Sequence, residues 1–241
     1  MEVIAQRFPV SMYFGLVGYT ISYLFSIPLG ILKAVRHGSR FDFVSSALVF
    51  VGYAIPGWAM GTVLLVLLAG GQFWQVFPLG GFRSTGFDSL PASARSGLEP
   101  KDVQNADGRF DWDKLPMSSK VIDQVHHTAL PVFCYVIGSF ASLTVLTKNS
   151  LLENIGQDYV RTAFAKGLSP ARVIYVHTLR NSLIPVATGL GHVIGLVMAG
   201  SFLIETVFNI DGMGLLGYLS LIHISEPTRL RRISYAVFCL K

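Results

Sequence analysis

Tyr159-Val-Arg-Thr-Ala-Phe-Ala-Lys-Gly-Leu-Ser-Pro170 is the centre of a polar segment, Lys148 to Arg180, that continues into Arg180-Asn-Ser-Leu-Ile-Pro185. The segment carries Lys148, Arg161, Lys166, Arg172 and Arg180 against Glu153 and Asp158. On either side lies a run without Asp, Glu, Lys or Arg: 20 residues from Thr128 to Thr147 and 24 from Asn181 to Ile204. A helix needs about 20 mostly apolar residues to cross a bilayer, so this is expected to be a basic loop between two membrane spans. Small residues at helical spacing lead up to Gly167, which can end a helix in the left-handed conformation. Ser169 and Pro170 then suit the N-cap and first position of a second helix. In that helix Val173, Val176 and Leu179 are predicted to share one face. Two short amphipathic helices on the membrane surface would suit docking into a groove of a soluble partner. An inert interfacial loop is the plainer alternative.

The rest of the chain repeats the pattern. Of 241 residues, 51% are hydrophobic and 14% charged, against about 25% charged in a typical soluble domain; the mean hydropathy is +0.53. Phe8–Leu32 is a 25-residue run without charge and Phe43–Phe82 a 40-residue one. Any one run would suit a buried core helix, but four in one chain predict an all-α membrane protein with about four spans, near 11–34, 44–69, 128–147 and 183–204. The first run is longer than a signal-peptide core and lacks a basic leader beyond Arg7 and a clear cleavage site. The two cysteines, Cys134 and Cys239, fit neither a metal pattern nor a disulfide framework.

Positive charge orients the spans. Lys33–Phe43 has three basic residues in 11 positions and Lys148–Ser182 five in 35, while Gly70–His127 has six in 58 beside seven acids. Basic density near span ends favours the cytoplasm, so 33–43 and 148–182 are expected inside, with 70–127 and the N-terminus outside. An outside start suggests an earlier span and Met1 as an internal start. The 70–127 loop, rich in Pro and Gly, is expected to be turns rather than a packed domain, with a solvated acidic stretch over 99–113. Its aromatic beginning, with Phe73, Trp74 and Phe77, suits the membrane interface. Gly191, Gly195 and Ala199 form a small-xxx-small stripe for close helix approach. Pro28 and Pro56 can kink their spans or simply reflect the frequency of proline in membrane helices. His126 and His127 are expected to make interfacial polar contacts rather than bind metal. Glu205 sits at a membrane boundary.

Residues 219–241 stand apart. Leu219-Ser-Leu-Ile-His-Ile-Ser-Glu-Pro-Thr-Arg229 and Ile233-Ser-Tyr-Ala-Val-Phe-Cys-Leu-Lys241 resemble the translation of a transposase mosaic end and a sequencing adapter, and are expected to be non-native. Four basic residues against Glu226 place +3 of the chain's +5 there, leaving +2. Overall basicity therefore gives no reason to expect a nucleic-acid partner, and the natural chain is expected to continue differently beyond Tyr218.

The Lys148–Arg180 segment resembles the cytoplasmic coupling loop of ABC importer permeases, whose loose signature is Glu-Ala-Ala, three residues, then Gly. It is most similar to the dipeptide and oligopeptide branch, where Thr-Ala-x-Ala-Lys-Gly and Arg-Asn-x-Leu-Ile-Pro recur. Arg7-Phe-Pro-Val-Ser11, Ser26-Ile-Pro-Leu-Gly30, Gly52-Tyr-Ala-Ile-Pro56, Leu146-Thr-Lys-Asn-Ser150 and Glu205-Thr-Val-Phe-Asn-Ile-Asp-Gly-Met-Gly-Leu-Leu216 extend the likeness over about residues 7–218. Gly38-Ser-Arg-Phe-Asp42, Phe77-Pro-Leu79 and Phe87-Asp-Ser-Leu-Pro91 look most like the Yej-type microcin C and peptide permeases. Phe164 stands where the branch usually has Arg, the insert around 95–116 is longer than usual, and the family's first span and first outer loop are missing.

The resemblance implies a partial permease transmembrane domain with Tyr159, Arg161, Thr162, Ala163, Ala165, Lys166, Gly167 and Leu168 as the ATPase-coupling loop. It implies an ABC ATPase, a second homologous permease subunit, an external substrate-binding protein and a peptide substrate as partners, in the bacterial inner membrane. No Gly-x4-Gly-Lys-Ser/Thr loop is present to cradle phosphates, so ATP hydrolysis is expected on a separate subunit, and no cofactor is expected. A permease for nickel or another small solute is the near alternative. A membrane enzyme using His127, Lys148 and Glu205 is the distant one; His127 and Lys148 lie at opposite ends of one span, roughly 30 Å apart on a helix.

Overall fold

Long apolar runs whose backbone groups must be satisfied within lipid have one common solution, the α-helix, and helices dominate the computed structural model, which describes residues 2–71, 73–105, 107–191 and 201–222. Helix α1 spans Glu2–Val35. Helix α2, Arg40–Ala54, starts at Ser39, whose hydroxyl accepts from the Asp42 amide. Helix α3 spans Gly57–Leu68. The break between α2 and α3 falls at Ile55, held extended at φ −94°, ψ 118° because the Pro56 ring disfavours helical geometry in the residue before it. After the short helix α4, Ala92–Arg95, helix α5 runs 39 residues from Met117 to Ile155. At about 58 Å it is longer than a bilayer core is thick. Among the described residues α1 and α5 are each long and apolar enough to cross a membrane, and α2 with α3 forms a bent pair that is one broken span or a re-entrant loop. The expected span at 183–204, with its Gly195 and Ala199, lies partly outside the described residues, as does the adapter-like tail beyond Ile222.

The chain divides into two compact units. One comprises Phe14–Met60 and Val132–Val197, and its heart is the contact of α1 with α5. On α1, Phe14, Gly18, Ser22, Ser26 and Gly30 recur every fourth residue and line one face. Phe14 stacks on Tyr135 with ring centroids 5.8 Å apart. Ser22 Oγ and Ser139 Oγ lie 2.7 Å apart, and Ser26 donates to the Phe140 carbonyl at 3.1 Å. A Cβ on Gly30 would meet Thr147 Cβ at 2.6 Å and the Thr144 carbonyl at 2.9 Å, so no side chain fits there. Lipid offers no hydrophobic drive for helices to associate, and close backbone approach with interhelical hydrogen bonds takes its place.

The other unit comprises Met1–Tyr13, Gly61–Pro131 and Met198–Lys241, within the described residues. Here the 70–127 segment departs from the sequence expectation, because it contains a packed core. Leu90, Val103 and Leu115 are buried with Phe87, Leu98, Phe110 and Trp112 against them. These residues carry no helical or strand period because each sits on a separate short turn: Phe87–Ser89, α4, Pro100–Val103 and Trp112–Lys114. A single bridge pairs Gln104 with Phe110. The acidic stretch is thus the outer skin of a small core. Asp123 of α5 anchors it, fully buried, accepting from Ser84 N (3.1 Å), Ser84 Oγ (2.6 Å) and Trp112 Nε1 (2.8 Å). His127 Nε2 contacts the same Ser84 hydroxyl at 3.1 Å and His126 Nε2 the Val76 carbonyl at 2.6 Å, the polar contacts expected of that pair.

Glu205 belongs to the same unit and is 1% exposed. Its carboxylate accepts from Leu215 N (2.7 Å), Ser201 N (3.2 Å) and Ser11 Oγ (3.4 Å), while Ser11 Oγ accepts from Met213 N (2.7 Å). Amides of the first turn of the Met213–Ser220 helix, which have no partner inside that helix, are met this way. The Arg7–Ser11 and Glu205–Leu216 stretches, 194 positions apart at their contact, form one node.

Gly30 and Gly138 give a controlled comparison, since a Cβ at Gly138 meets nothing within 4 Å. Gly30→Ala is expected to lower stability by about 1–3 kcal/mol through overpacking. Gly138→Ala is expected to be neutral or to raise it by up to about 1 kcal/mol from helix propensity. Thermal unfolding of the two variants in detergent checks this.

Candidate functional site

The polar segment is built on the end of α5, which continues past Thr147 to Ile155, so Lys148 lies inside that helix. Its ammonium sits 2.7 Å from both Asp42 carboxylate oxygens. Lys33, 1% exposed, lies 3.5 Å from Asp42 Oδ1 and donates to the Asp42 carbonyl (3.3 Å), Ser45 Oγ (3.0 Å) and Ser46 Oγ (2.7 Å). His37 Nδ1 (3.2 Å) and the Gly38 amide (3.3 Å) complete the shell of Asp42 Oδ2. The Lys148 hydrogen bond holds the Asp42 carboxyl well below the usual carboxylate range. Its stabilisation is therefore present at neutral pH and is lost only as pH falls below about 4 toward the depressed value. One carboxylate joins the end of α1, the start of α2 and the last turns of α5. Lys148 is spent there and adds nothing to an exposed docking face.

Beyond Ile155, Gln157 opens helix α6, Asp158–Ala165. Gly167 follows at φ +77°; its amide donates to the Phe164 carbonyl at 2.9 Å and Leu168 N to the Ala163 carbonyl at 3.4 Å. These are the closing bonds of a glycine-terminated helix. Ser169 takes the N-cap backbone position before helix α7, Pro170–Arg172, but its hydroxyl makes no capping bond; the turn rests on Pro170 and on Val173 N donating to the Ser169 carbonyl at 3.0 Å. A π-helical turn, Val173–Thr178, leads into α8, Leu179–Ser182, and α9, Ile184–Thr188. Thr178 Oγ1 bonds the Val173 carbonyl at 3.0 Å across the wide turn. Ser150 Oγ donates to the Ser182 carbonyl at 2.8 Å and ties the returning chain to α5.

Val160, Ala163 and Val173 are buried together, with Leu168 packed against them. Of the residues expected to couple, Ala163 and Leu168 thus build the inside of the hairpin. Tyr159, Arg161, Thr162, Ala165, Lys166 and Gly167 are exposed. The expected shared face of Val173, Val176 and Leu179 is not formed. The π turn bonds residues five apart and so rotates the faces that follow it: Val173, Thr178 and Ser182 are buried and Val176 is 56% exposed. Beside it, Phe164 (44%) and Tyr175 (55%) are also exposed. Apolar side chains so placed, among the exposed Arg161, Lys166, Arg172 and Arg180, have the aromatic and cationic make-up of a binding patch. Arg161 and Asp158, 3.6 Å apart and both largely exposed, form a surface pair of little energetic weight. Sequence reasoning missed Tyr175 as an outward residue and Val160 and Val173 as the core. The i, i+3 spacing of Val160 and Ala163 was the available signal.

Asp42→Asn is expected to cost about 3–5 kcal/mol by leaving buried lysines unpaired. Asp42→Asn with Lys148→Met should recover part of that loss. Thermal unfolding of both variants in detergent measures the difference; equal stabilities would deny Asp42 its role.

The sequence model of a family described as binding-protein-dependent transport system inner membrane component matches residues 26–238. The inner membrane ABC transporter permease protein YejB of Escherichia coli O157:H7 is 41% identical over 228 residues, covering 94% of this chain and 56% of the relative. The peptidoglycan transport system permease protein YejB of Agrobacterium fabrum (strain C58) is 40% identical with the same coverage. The dipeptide transport system permease protein DppB of Escherichia coli (strain K12) is 34% identical over 216 residues, 88% of this chain and 60% of the relative. The chain spans rather more than half the length of these relatives, all of them transport permeases rather than enzymes. With its apolar helices and a match over most of its length, the chain belongs to the family of binding-protein-dependent transport system inner membrane components, multi-pass proteins of the bacterial inner membrane.

Proposed function

We propose that this chain is part of a permease subunit of an ATP-driven peptide importer, lining half of the translocation pathway and coupling through residues 156–182 to an ATPase carried on a separate subunit. The observation that carries this reading is the hairpin. Its core of Val160, Ala163 and Val173 keeps its shape, while Tyr159, Arg161, Phe164, Lys166 and Tyr175 present an unfilled face. The Ser150–Ser182 bond ties the hairpin to α5, and the Asp42–Lys148 ion pair fixes that end of α5 against α2, so a push on the hairpin is delivered to a spanning helix. The cytoplasmic side is assigned to 33–43 and 148–182, and the external side to 70–127, on their basic density. A second, related permease subunit would supply the other half of the pathway, and an external binding protein would deliver the substrate. The names of the relatives, which include dipeptide and peptidoglycan transport, favour a peptide over nickel or another small solute.

The test is ATP hydrolysis in vesicles containing the ATPase, both permease subunits and the binding protein. Peptide-loaded binding protein is expected to stimulate hydrolysis. Arg161→Glu with Gly167→Pro is expected to abolish that stimulation while membrane insertion persists, because proline cannot take the φ of +77° at Gly167 and the position has no side-chain neighbours to disturb. Unchanged stimulation in the double variant overturns the assignment of the hairpin.

A further inference from the structure

A cleft of about 540 Å³ lies among α1, α2 and α5, lined by Phe25 and Leu29 of α1, Ser45, Leu48 and Val49 of α2, and Ile137 of α5. Ser45 supplies the polar atom among these, and it is already used: its hydroxyl accepts from Lys33 Nζ at 3.0 Å and donates to the Asp42 carbonyl at 3.2 Å. The body of the cleft therefore offers apolar contact alone. Its end at Ser45 is different. On α1 the lining positions Phe25 and Leu29 continue, at helical spacing, to Arg36, whose amide keeps the helical bond to the Leu32 carbonyl at 3.0 Å. On α2 the lining positions Ser45, Leu48 and Val49 continue back to Phe41, and the Arg36 guanidinium lies over the Phe41 ring, 5.7 Å from its centroid. The two lining stripes thus run out at the same cation. Arg40 is exposed in the first turn of α2, and among the described residues neither Arg36 nor Arg40 is paired with a carboxylate. The single acid at this end, Asp42, is buried between Lys33 and Lys148.

We infer that this cleft binds one acyl chain of an anionic phospholipid, with the lipid phosphate held by Arg36 and Arg40. An apolar channel whose α1 and α2 linings lead toward Arg36, with Arg40 exposed four residues further on and neither paired with a carboxylate among the described residues, matches an amphiphile whose head is negatively charged. A partner helix would fill the channel but leave both cations without counter-charge, and a free phosphate would leave the channel empty. Two guanidinium groups at a membrane surface together carry an affinity factor on the order of 30 for an anionic headgroup. The lipid would brace the loop joining α1 to α2, next to the Asp42 clamp. This site is independent of which solute is transported.

The test uses the chain in nanodiscs with trace photoactivatable phosphatidylglycerol or phosphatidylcholine of identical acyl chains, and mass spectrometry to locate the adducts. Phosphatidylglycerol is expected to label the peptides containing Leu48 and Ile137 at least 5-fold more than phosphatidylcholine. Arg36→Gln with Arg40→Gln should bring that ratio close to one while circular dichroism stays unchanged. If the double variant misfolds, each single substitution serves, and each is expected to lower the ratio. Equal labelling by both lipids, a ratio insensitive to the arginines, or no labelling of these peptides when the other subunits are present would each overturn the proposal, the last by showing a protein partner in the cleft.

Discussion

A single buried carboxylate, Asp42, holds together the end of the helix bundle from which the 156–182 hairpin starts. It meets Lys148 from α5 and Lys33 from α1, and it sits in the first turn of α2. Burying three charges is costly, and geometry decides whether the cost is met. Here Lys148 reaches both oxygens, and Lys33 is satisfied by two serine hydroxyls and a carbonyl besides. What such a cluster gives reliably is position. Removing Asp42 strands both lysines, so α1, α2 and α5 are fixed in one register at this end. The hairpin that follows Ile155 starts from that fixed point.

The α1–α5 contact extends this constraint along the helices. Gly18, Ser22, Ser26 and Gly30 leave room for α5 to approach closely enough that Ser22 and Ser26 bond across the gap. Interhelical hydrogen bonds in membranes are each worth only about 0.6–2 kcal/mol; here two on successive turns act together with the close backbone approach at Gly18 and Gly30. The hairpin itself is softer. Its core is three buried side chains and a leucine, and its returning limb contains a π turn, a feature frequent at functional sites in helices.

Much of this was legible in the sequence. The helices follow from the uncharged runs, the α2–α3 break from Pro56, and the hairpin turn from Gly167 with Ser169 and Pro170, since these rest on local chemistry. The α1 stripe uses the same small-xxx-small pattern that was noticed at Gly191, yet its partner helix could not be named from spacing alone. Asp42 and Lys148 are 106 positions apart, and no local rule connects them. The core around Leu90, Val103 and Leu115 was hidden because its apolar residues obey no period. Val176 was misplaced because a π turn has no clear sequence signature and shifts every face that follows it.

The central claim is that residues 156–182 form the face that meets the ATPase. A photo-crosslinking residue at position 164, in the assembled transporter in native membranes, tests it most directly, with position 73 in the aromatic stretch of the 70–127 segment as control. Adducts to the ATPase subunit from position 164 and none from position 73 are expected. No adduct from 164, or equal adducts from both positions, would contradict the account.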